Sequence, residues 1–251
     1  MIKLENTEVT GWEAASRGMR NPLNSWQKSD SVFSKHLGDN KLCWVDIFGN
    51  ELPPCSLPEE VHKDNVTGLL YNIGQNDYDL MKRLRNAGTD HRKFMRMITV
   101  YVDITAPLYW WKEFDTYKVG TVANSCSTMH KIADKEFTLE DFSCEHLFYN
   151  VNNTEIWLNI DFPNVLDNVI FYLNKARELY LKTKDKKYWW QMIQLLPSSY
   201  NQRRTVMLNY EVLANMYKSR KNHNLDEWKD LCTWVKTLPY SEFITGEFNE
   251  T

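Results

Sequence analysis

Glycine, proline and long hydrophobic runs are scarce in this sequence of 251 residues. Only nine glycines and eight prolines occur, and the longest apolar run extends from about Ala106 to Trp111. A membrane-spanning helix needs roughly 20 apolar residues, so none is expected. The first residues, Met1 to Glu5, lack the charged and then apolar order of a secretory signal. These absences predict a soluble, cytoplasmic protein.

Neither sign of charge dominates, since 30 lysines and arginines face 33 aspartates and glutamates, for a net charge of −3. That balance excludes an obvious polybasic surface for nucleic acid. The generic catalytic motifs are also missing, because there is no phosphate-binding glycine loop, no G-x-S-x-G and no H-E-x-x-H. No standard motif therefore indicates a reaction.

Cysteine and histidine are scattered rather than clustered. The cysteines are odd in number and show no C-x-x-C spacing, which argues against a disulfide framework and a zinc site. They are Cys43, Cys55, Cys126, Cys144 and Cys232. The six histidines are isolated from one another in sequence, and no metal site is predicted from them.

What the sequence does contain is typical of a globular domain, with 43% apolar and 25% charged residues. Because the few glycines and prolines never cluster into a linker and no internal repeat occurs, a single domain of residues 1–251 is predicted. One stretch, Phe48 to Cys55, holds two prolines and a glycine, which predicts a loop.

Two patterns in the first half predict regular structure. Asn76 is placed to cap a helix that ends at Gly88, with Asp79 reaching back from the third position. The apolar stripe of that helix is Leu80, Met81, Leu84 and Ala87. The residues from Met97 to Ile104 alternate and are rich in β-branched side chains, which predicts a strand, and Pro107 suits the first position of a following helix.

The second half is predominantly helical by the same criteria. A long helix is predicted after Pro163, followed by a segment that stops at Pro197. A further helix is predicted through Val206, Val212, Leu213 and Met216, and a last one opens behind Asn224 with Trp228, Leu231 and Val235 on its buried face. The fold class predicted from these elements is therefore α/β with helix in excess.

The order of several elements in the sequence is specific enough to indicate a protein family. The predicted strand leads into Ala106-Pro107 and an aromatic helix, and the hydroxyl-rich run Thr121 to Thr128 follows. This order resembles the flavin-dependent thymidylate synthases, in which a strand leads into A-P and a helix and is followed by the signature R-H-R, seven residues and S. The resemblance extends from about Glu13 to Pro239.

The signature itself is altered in this chain. In the ungapped register its R-H-R positions are Thr116, Tyr117 and Lys118, and its serine is Cys126. The family arginine that follows is Thr128 in this register. A one-residue insertion instead places Asn124 on the family asparagine, Ser127 on the serine and Met129 on that arginine. Neither register restores an arginine.

Two other matches keep the spacing of the family. Leu196-Pro197 is followed by Asn209, Asn215 and Arg220 at the family intervals, and His91 lies at the position of the family histidine that precedes the strand. Asn209 and Arg220 are eleven residues apart, close to three helical turns, which predicts that both face one side of a helix. On that helix, Asn215 is expected about a third of a turn away from the side that Asn209 and Arg220 share.

The resemblance implies a thymidylate-synthase-complementing-protein-like fold of the α/β (α+β) class, helix-rich with a central and mainly antiparallel sheet. It further implies a homotetramer with active sites shared between subunits. It also implies FAD as cofactor, methylenetetrahydrofolate as carbon donor, NADPH as reductant and dUMP or a related nucleotide as substrate. The activity implied is reductive methylation of that nucleotide, in which the protein positions the rings and the flavin supplies the electrons.

The same resemblance implies two sets of site residues. The cofactor set is His91, Lys118, Val119, Asn209, Asn215 and Arg220. The substrate set is Glu113, Lys118, Asn124, Cys126, Ser127 and Arg220. No residue is assigned as catalytic, and Cys126 and Ser127 are the candidates for a direct chemical role.

Alternatives remain open at this point. A nucleotide phosphate is usually bound by arginine forks, and their loss here favours a non-catalytic or repurposed homologue that keeps the scaffold. Trp189-Trp190 beside four lysines could instead stack on single-stranded nucleic acid, although a solvated helix end is the simpler interpretation. Trp110-Trp111 is interpreted as core or subunit contact rather than as a flavin-stacking pair.

Overall fold

The structure is a computed structural model that describes residues 2–37, 41–53, 58, 60–64, 67–147 and 162–248. Its strands are β1 (Lys3–Thr10), β2 (Val32–Leu37), β3 (Lys41–Val45), β4 (His62–Lys63), β5 (Leu70–Asn72), β6 (Thr99–Pro107), β7 (Val122–Ser125) and β8 (Asn201–Asn209). Its helices are α1 (Trp12–Arg20), α2 (Gln75–Asn86), α3 (Leu108–Phe114), α4 (Thr128–Lys131), α5 (Phe162–Thr183), α6 (Lys186–Leu195), α7 (Tyr210–Arg220), α8 (Asp226–Val235) and α9 (Glu242–Thr245).

The strands form two sheets of four strands each in the described part of the chain. One sheet has the order β1-β6-β8-β7 and the other the order β3-β2-β5-β4. In the second sheet every pairing is antiparallel, with Phe33 opposite Val45 in β3 and Tyr71 in β5. None of the described helices is long and apolar enough to cross a membrane.

The chain divides into two compact units. The first comprises residues 1–3, 104–116 and 124–204, and the second comprises residues 4–103, 117–123 and 205–251. The prediction of a single domain over residues 1–251 stays a prediction.

The core of the first unit lies where helices α5 and α6 pack together. Leu173 and Met192, one from each helix, are completely buried there with Phe137 and Phe142. In α3 of the same unit, Trp110 and Trp111 are also buried, and the indole Nε1 of Trp111 donates a 2.9 Å hydrogen bond to the carbonyl of Gln202. The interpretation of this tryptophan pair as core is therefore confirmed.

The core of the second unit surrounds helix α7, which packs against α8, α9 and the 3-10 turn Lys93–Arg96. Trp228, Leu231 and Val235 of α8 are fully buried, as their helical spacing predicts. Tyr210 at the start of α7 is buried too, and its hydroxyl donates a 2.6 Å hydrogen bond to the carbonyl of Pro239.

Two predicted helix starts were wrong in detail. Helix α2 is capped by Gly74 rather than by Asn76, and the carboxylate of Asp30 accepts hydrogen bonds from the backbone N–H groups of Asn76 and Asp77 at 2.9 and 3.1 Å. Helix α7 begins at Tyr210, so Val206 lies in strand β8. The alternation of buried and exposed side chains before Asn209 belongs to a strand.

The predicted loop and the hydroxyl-rich run both contain some regular structure. Within Phe48 to Cys55, Glu51 forms an isolated bridge with Val45, whereas Pro54 and Cys55 lie outside the described residues. The hydroxyl-rich run from Thr121 to Thr128 contains strand β7, whose four residues are all exposed.

Candidate functional site

Asn209 stands at the junction between β8 and α7 and caps the helix. Its Oδ1 accepts a 3.0 Å hydrogen bond from the backbone N–H of Val212. Its Nδ2 lies beside Gly120, where an added Cβ would be 3.0 Å from both that nitrogen and a methyl of Val212. Gly120 also has a positive φ of 80°, so the turn that contains it fits closely only with glycine.

Arg220 at the other end of α7 is held by aromatic rings. Its Nε donates a 2.9 Å hydrogen bond to the hydroxyl of Tyr117, and its guanidinium carbon lies 4.7 Å from the ring centre of Trp228. A cation over an aromatic face is attracted by the electron density of the ring. The altered signature segment thus lies against α7, which is capped by Asn209 and contains Asn215 and Arg220.

Lys118 and Val119 occupy the exposed turn between these two contacts. Thr121 closes the turn, because its hydroxyl donates a hydrogen bond to the carbonyl of Tyr117. Val119 is 90% exposed, an unusual position for an apolar side chain. Lys118 and Val119 are thus exposed residues between Tyr117, which contacts Arg220, and Gly120, which lies beside Asn209.

Asn215, in the middle of α7, contacts the segment that contains His91. The Nη2 of Arg92 donates a 3.1 Å hydrogen bond to Oδ1 of Asn215, and the Nε of Arg92 lies 3.2 Å from the carboxylate of Glu211. Arg96 binds the same carboxylate. His91 itself is exposed and immediately precedes Arg92.

The carboxylate of Glu211, which binds both Arg92 and Arg96, has a shifted pKa. Burial raises the pKa of Glu211, but hydrogen bonds from Arg96 and Arg92 outweigh it, so that the pKa lies below its ordinary value. The hydrogen bond to Glu211 correspondingly raises the pKa of Arg96. Sequence reasoning missed this triad, because Arg96 and Glu211 are 115 positions apart and no local pattern links them.

The six residues of the predicted cofactor set all lie in the second unit, yet their partners differ. Asn209 caps α7, Asn215 binds Arg92, and Arg220 binds Tyr117. The prediction that Asn209 and Arg220 share a helical face was wrong in its premise, since Asn209 is the cap and not a helical residue. Their convergence on one ligand stays a prediction.

The other predicted substrate residues, Glu113, Asn124, Cys126 and Ser127, lie in the first unit. The backbone of Cys126 donates to the carbonyl of Arg203 and accepts from the side chain of Gln202, both at 3.0 Å, and its thiol is exposed. Ser127 caps α4 by accepting a 3.1 Å hydrogen bond from the N–H of His130. The carbonyl of Glu113 accepts from the backbone N–H and the hydroxyl of Thr116.

Arg204, in the first unit, is also held by an aromatic ring. The guanidinium of Arg204 lies 4.1 Å from the ring centre of Trp111 and pairs with Asp115 at 2.6 Å. The described thiols of Cys43, Cys126, Cys144 and Cys232 are free, and Cys55 lies outside the described residues. Over the part of the chain that is described, no three potential metal ligands come together.

Three solved structures resemble this chain along nearly its whole length. Thymidylate synthase X (ThyX) from Helicobacter pylori, crystallised with FAD and dUMP, matches with a TM-score of 0.59 and 16% identity over 98% of both chains. Another structure of the flavin-dependent thymidylate synthase ThyX from Helicobacter pylori, complexed with FAD and dUMP, gives 0.57 and 16% over 98% of this chain and 97% of that one.

The third is the UMP/dUMP methylase PolB from Streptomyces cacaoi bound with 5-Br dUMP, with a TM-score of 0.52 and 12% identity over 98% of this chain and 94% of that one. No protein-family model and no curated protein matches the sequence. The chain therefore has a fold similar to that of flavin-dependent thymidylate synthases. The predicted fold class, mixed helix and antiparallel sheet, is confirmed.

Proposed function

We propose that this chain is a flavin-dependent thymidylate synthase-like protein that binds FAD and dUMP or a related nucleotide. The observation that carries the proposal is the likeness of fold over 98% of both chains to a protein crystallised with FAD and dUMP. The packing of Tyr117 and Gly120 against α7 supports it, because the altered signature segment and the downstream Asn and Arg positions meet in one unit.

The residues around α7 fit a ligand such as FAD, which carries negative phosphates and carbonyl acceptors. Arg220 is half-buried and oriented by Tyr117 and Trp228, so its position is fixed before a ligand arrives. Asn215 and Lys118 are exposed and can donate hydrogen bonds. In the proposed role His91, Lys118, Val119, Asn209, Asn215 and Arg220 hold the cofactor.

As a synthase, the protein would take the carbon from methylenetetrahydrofolate. NADPH would reduce the FAD, and the FAD would supply the electrons to the nucleotide. Glu113, Lys118, Asn124, Cys126, Ser127 and Arg220 then bind the nucleotide. These residues position the substrate, and no covalent attack by the protein is required.

The alternative is a repurposed homologue that keeps the scaffold without turnover. The specific observation behind it is that Thr116 and Tyr117 stand where the resemblance implies cation-bearing side chains, and that Tyr117 already accepts the hydrogen bond of Arg220. Each missing charge-assisted hydrogen bond removes about 1.5–3 kcal/mol of phosphate binding.

A homotetramer belongs to the same proposal. On α5, Val165, Tyr172 and Leu179 are seven residues apart and therefore lie along one side of the helix. Their exposed fractions are 58%, 61% and 41%. Such an exposed apolar stripe supports an interface between copies of this chain, and sedimentation measurements test it.

A measurement of turnover distinguishes a synthase from a repurposed homologue. Flavin-loaded protein is incubated with dUMP, methylenetetrahydrofolate and NADPH, and the methylated nucleotide is quantified by chromatography. A synthase forms dTMP, whereas a repurposed scaffold binds flavin and forms none. The matched control is Arg220→Lys beside Arg220→Ala: the lysine variant retains part of the flavin affinity because it retains the charge, and the alanine variant loses it.

A further inference from the structure

Arg204 on strand β8 is held in position by a buried aromatic ring. Its guanidinium carbon lies 4.1 Å from the ring centre of Trp111. That ring is fixed, because it is buried and its Nε1 donates a 2.9 Å hydrogen bond to the carbonyl of Gln202. A guanidinium stacked on such a ring keeps the orientation of its plane, so its N–H groups point in set directions.

A buried amide links Arg204 to the substrate set. The Nε of Arg204 donates a 3.0 Å hydrogen bond to Oε1 of Gln202, and Nε2 of the same amide donates to the carbonyl of Cys126, also at 3.0 Å. Gln202 is buried, so this amide has one conformation that serves both partners. Arg204 and the backbone of Cys126 are therefore held close together.

Asp115 binds Arg204 on the solvent side. Its Oδ1 lies 2.6 Å from Nη1 of Arg204, and the side chain of Asp115 is 52% exposed, against 14% for Arg204. Among the described residues, Arg204 is the hydrogen-bonding partner that this carboxylate has. Asp115 directly precedes Thr116, which stands at the first arginine position of the altered signature. Arg204 thus brings a positive charge next to the point where the resemblance implies one and the sequence lacks it.

A guanidinium binds a carboxylate or a phosphate through the same N–H groups. The phosphate of a nucleotide monophosphate carries about 1.5–2 negative charges near neutral pH, whereas a carboxylate carries one. The phosphate is therefore the stronger partner of the two. Because Asp115 is exposed, its carboxylate can turn into water when a phosphate takes its place.

We propose that Arg204 binds the phosphate of the nucleotide and that Asp115 occupies this position in its absence. The inference rests on the proposed function for the identity of the ligand, and it adds a residue that belongs to neither set implied by the resemblance. The competing interpretation is an ion pair that only stabilises the fold. Loss of Asp115 distinguishes the two, because a purely structural pair gains no ligand affinity from it.

The test measures dUMP binding to the full chain by isothermal titration calorimetry, and competition against dUMP measures deoxyuridine, which lacks the phosphate. Arg204→Gln is expected to weaken dUMP binding about tenfold or more and to leave deoxyuridine binding within about twofold. Arg203→Gln is the matched control, since its exposed side chain lies on the opposite face of β8. It should weaken dUMP binding by no more than about threefold, because a solvated charge is screened.

Asp115→Asn is a second variant, which removes the competing charge and keeps Arg204. It should strengthen dUMP binding about threefold and leave deoxyuridine binding unchanged. Glu178→Gln is its control, because it removes an exposed carboxylate of α5 in the same unit, and it should change dUMP affinity by less than about twofold. Circular dichroism verifies that each variant is folded.

Two sets of results would overturn the proposal. The first is unchanged dUMP binding by Arg204→Gln, or an equal loss in Arg203→Gln or in deoxyuridine binding. The second is a failure of Asp115→Asn to strengthen dUMP binding, which decides the matter even if Arg204→Gln does not fold.

Inorganic phosphate separates this inference from the proposed function. A wild type that binds dUMP independently of Arg204 keeps the proposed function and loses this assignment. A wild type that binds inorganic phosphate through Arg204 but does not bind dUMP sustains the phosphate position and defeats the proposed nucleotide. Binding of neither ligand overturns both.

Discussion

The hydroxyl of Tyr117 accepts a 2.9 Å hydrogen bond from the Nε of Arg220, which also lies over the ring of Trp228. The tyrosine comes from the altered signature segment and the arginine from the end of α7. Arg220 is thus oriented by this chain's own aromatic residues. A neutral aromatic residue at position 117 adds no charge for a phosphate, but it orients the arginine that remains.

Replacing Tyr117 by phenylalanine tests this orientation. The variant loses one hydrogen bond to a charged donor, so the free energy of unfolding should fall by about 1–2 kcal/mol. Urea denaturation measures the change. Tyr101→Phe is the control, because Tyr101 is an exposed tyrosine of β6 and its replacement should cost less than about 0.5 kcal/mol. Equal stability of both variants would show that the Tyr117 contact contributes nothing.

Asp77 is the centre of a buried polar network. Its carboxylate pairs with Arg20 at 2.5 Å and accepts hydrogen bonds from the hydroxyls of Ser29 and Ser31, and the two charged side chains are 0% and 3% exposed. Asp77→Ala leaves the arginine buried without its carboxylate and should cost about 3–5 kcal/mol of unfolding free energy.

The control for this change breaks an exposed pair. Glu178→Ala removes the partner of Lys175 on α5, where both side chains are more than half exposed, and should cost less than about 1 kcal/mol. Denaturation midpoints of the two variants measure the difference. Comparable losses would contradict a special role for the buried network.

The triad of Arg92, Arg96 and Glu211 predicts a dependence of stability on pH. Because the pKa of Glu211 is lowered in the folded protein, its stabilising contribution is fully present above its ordinary pKa of 4.5. The contribution is lost as the pH falls through the folded value, which lies below 4.5. The stability difference between the wild type and Glu211→Gln should therefore shrink as the pH falls below 4.5.

Denaturant titrations at several pH values measure that difference, with Glu178→Gln as the exposed control. A difference in stability between the wild type and Glu211→Gln that stayed constant as the pH was lowered would contradict this prediction. It would mean that Arg92 and Arg96 do not stabilise the carboxylate of Glu211 in the folded protein.

The exposed thiol of Cys126 offers a test of the substrate set. Burial raises the pKa of Cys232 to about 11, although Lys236 opposes the shift, so this thiol is scarcely ionised near pH 8. Iodoacetamide should therefore label Cys126 at least about tenfold faster than Cys232, as judged by mass spectrometry of peptides. If Cys126 lines the nucleotide site, dUMP should slow its labelling and leave that of Cys144 unchanged. Unaltered labelling of Cys126 in saturating dUMP would remove it from the substrate set.

Local periodicity predicted the elements whose burial follows from their own sequence. Helix α8 is an example, because Trp228, Leu231 and Val235 recur at helical spacing and all three are buried. The start of α7 was misjudged for the converse reason. Val206 is seven residues before Leu213 and so fits a helical stripe by chance. It lies in strand β8, where Gln202, Val206 and Leu208 are buried at alternate positions.

Other features depend on residues far apart in the chain, which no window of sequence detects. Asp30 caps α2 from 46 positions away, and Arg96 meets Glu211 across 115 positions. The second sheet was not predicted. Its strands β4 and β5 have only two and three residues, and the longer strands β2 and β3 were not identified from their sequence either. The spacing of Asn209, Asn215 and Arg220 indicated the right helix, whereas the partners of these side chains were set by tertiary packing.

Retention of flavin is the measurement that tests the central claim most directly. The purified chain is mixed with excess FAD, passed through gel filtration and examined by visible absorbance. The account predicts a yellow protein that retains flavin, together with Arg220→Ala that binds it about tenfold or more weakly. A folded wild-type protein that stays colourless after this treatment, or an Arg220→Ala variant that retains as much flavin, would contradict the account.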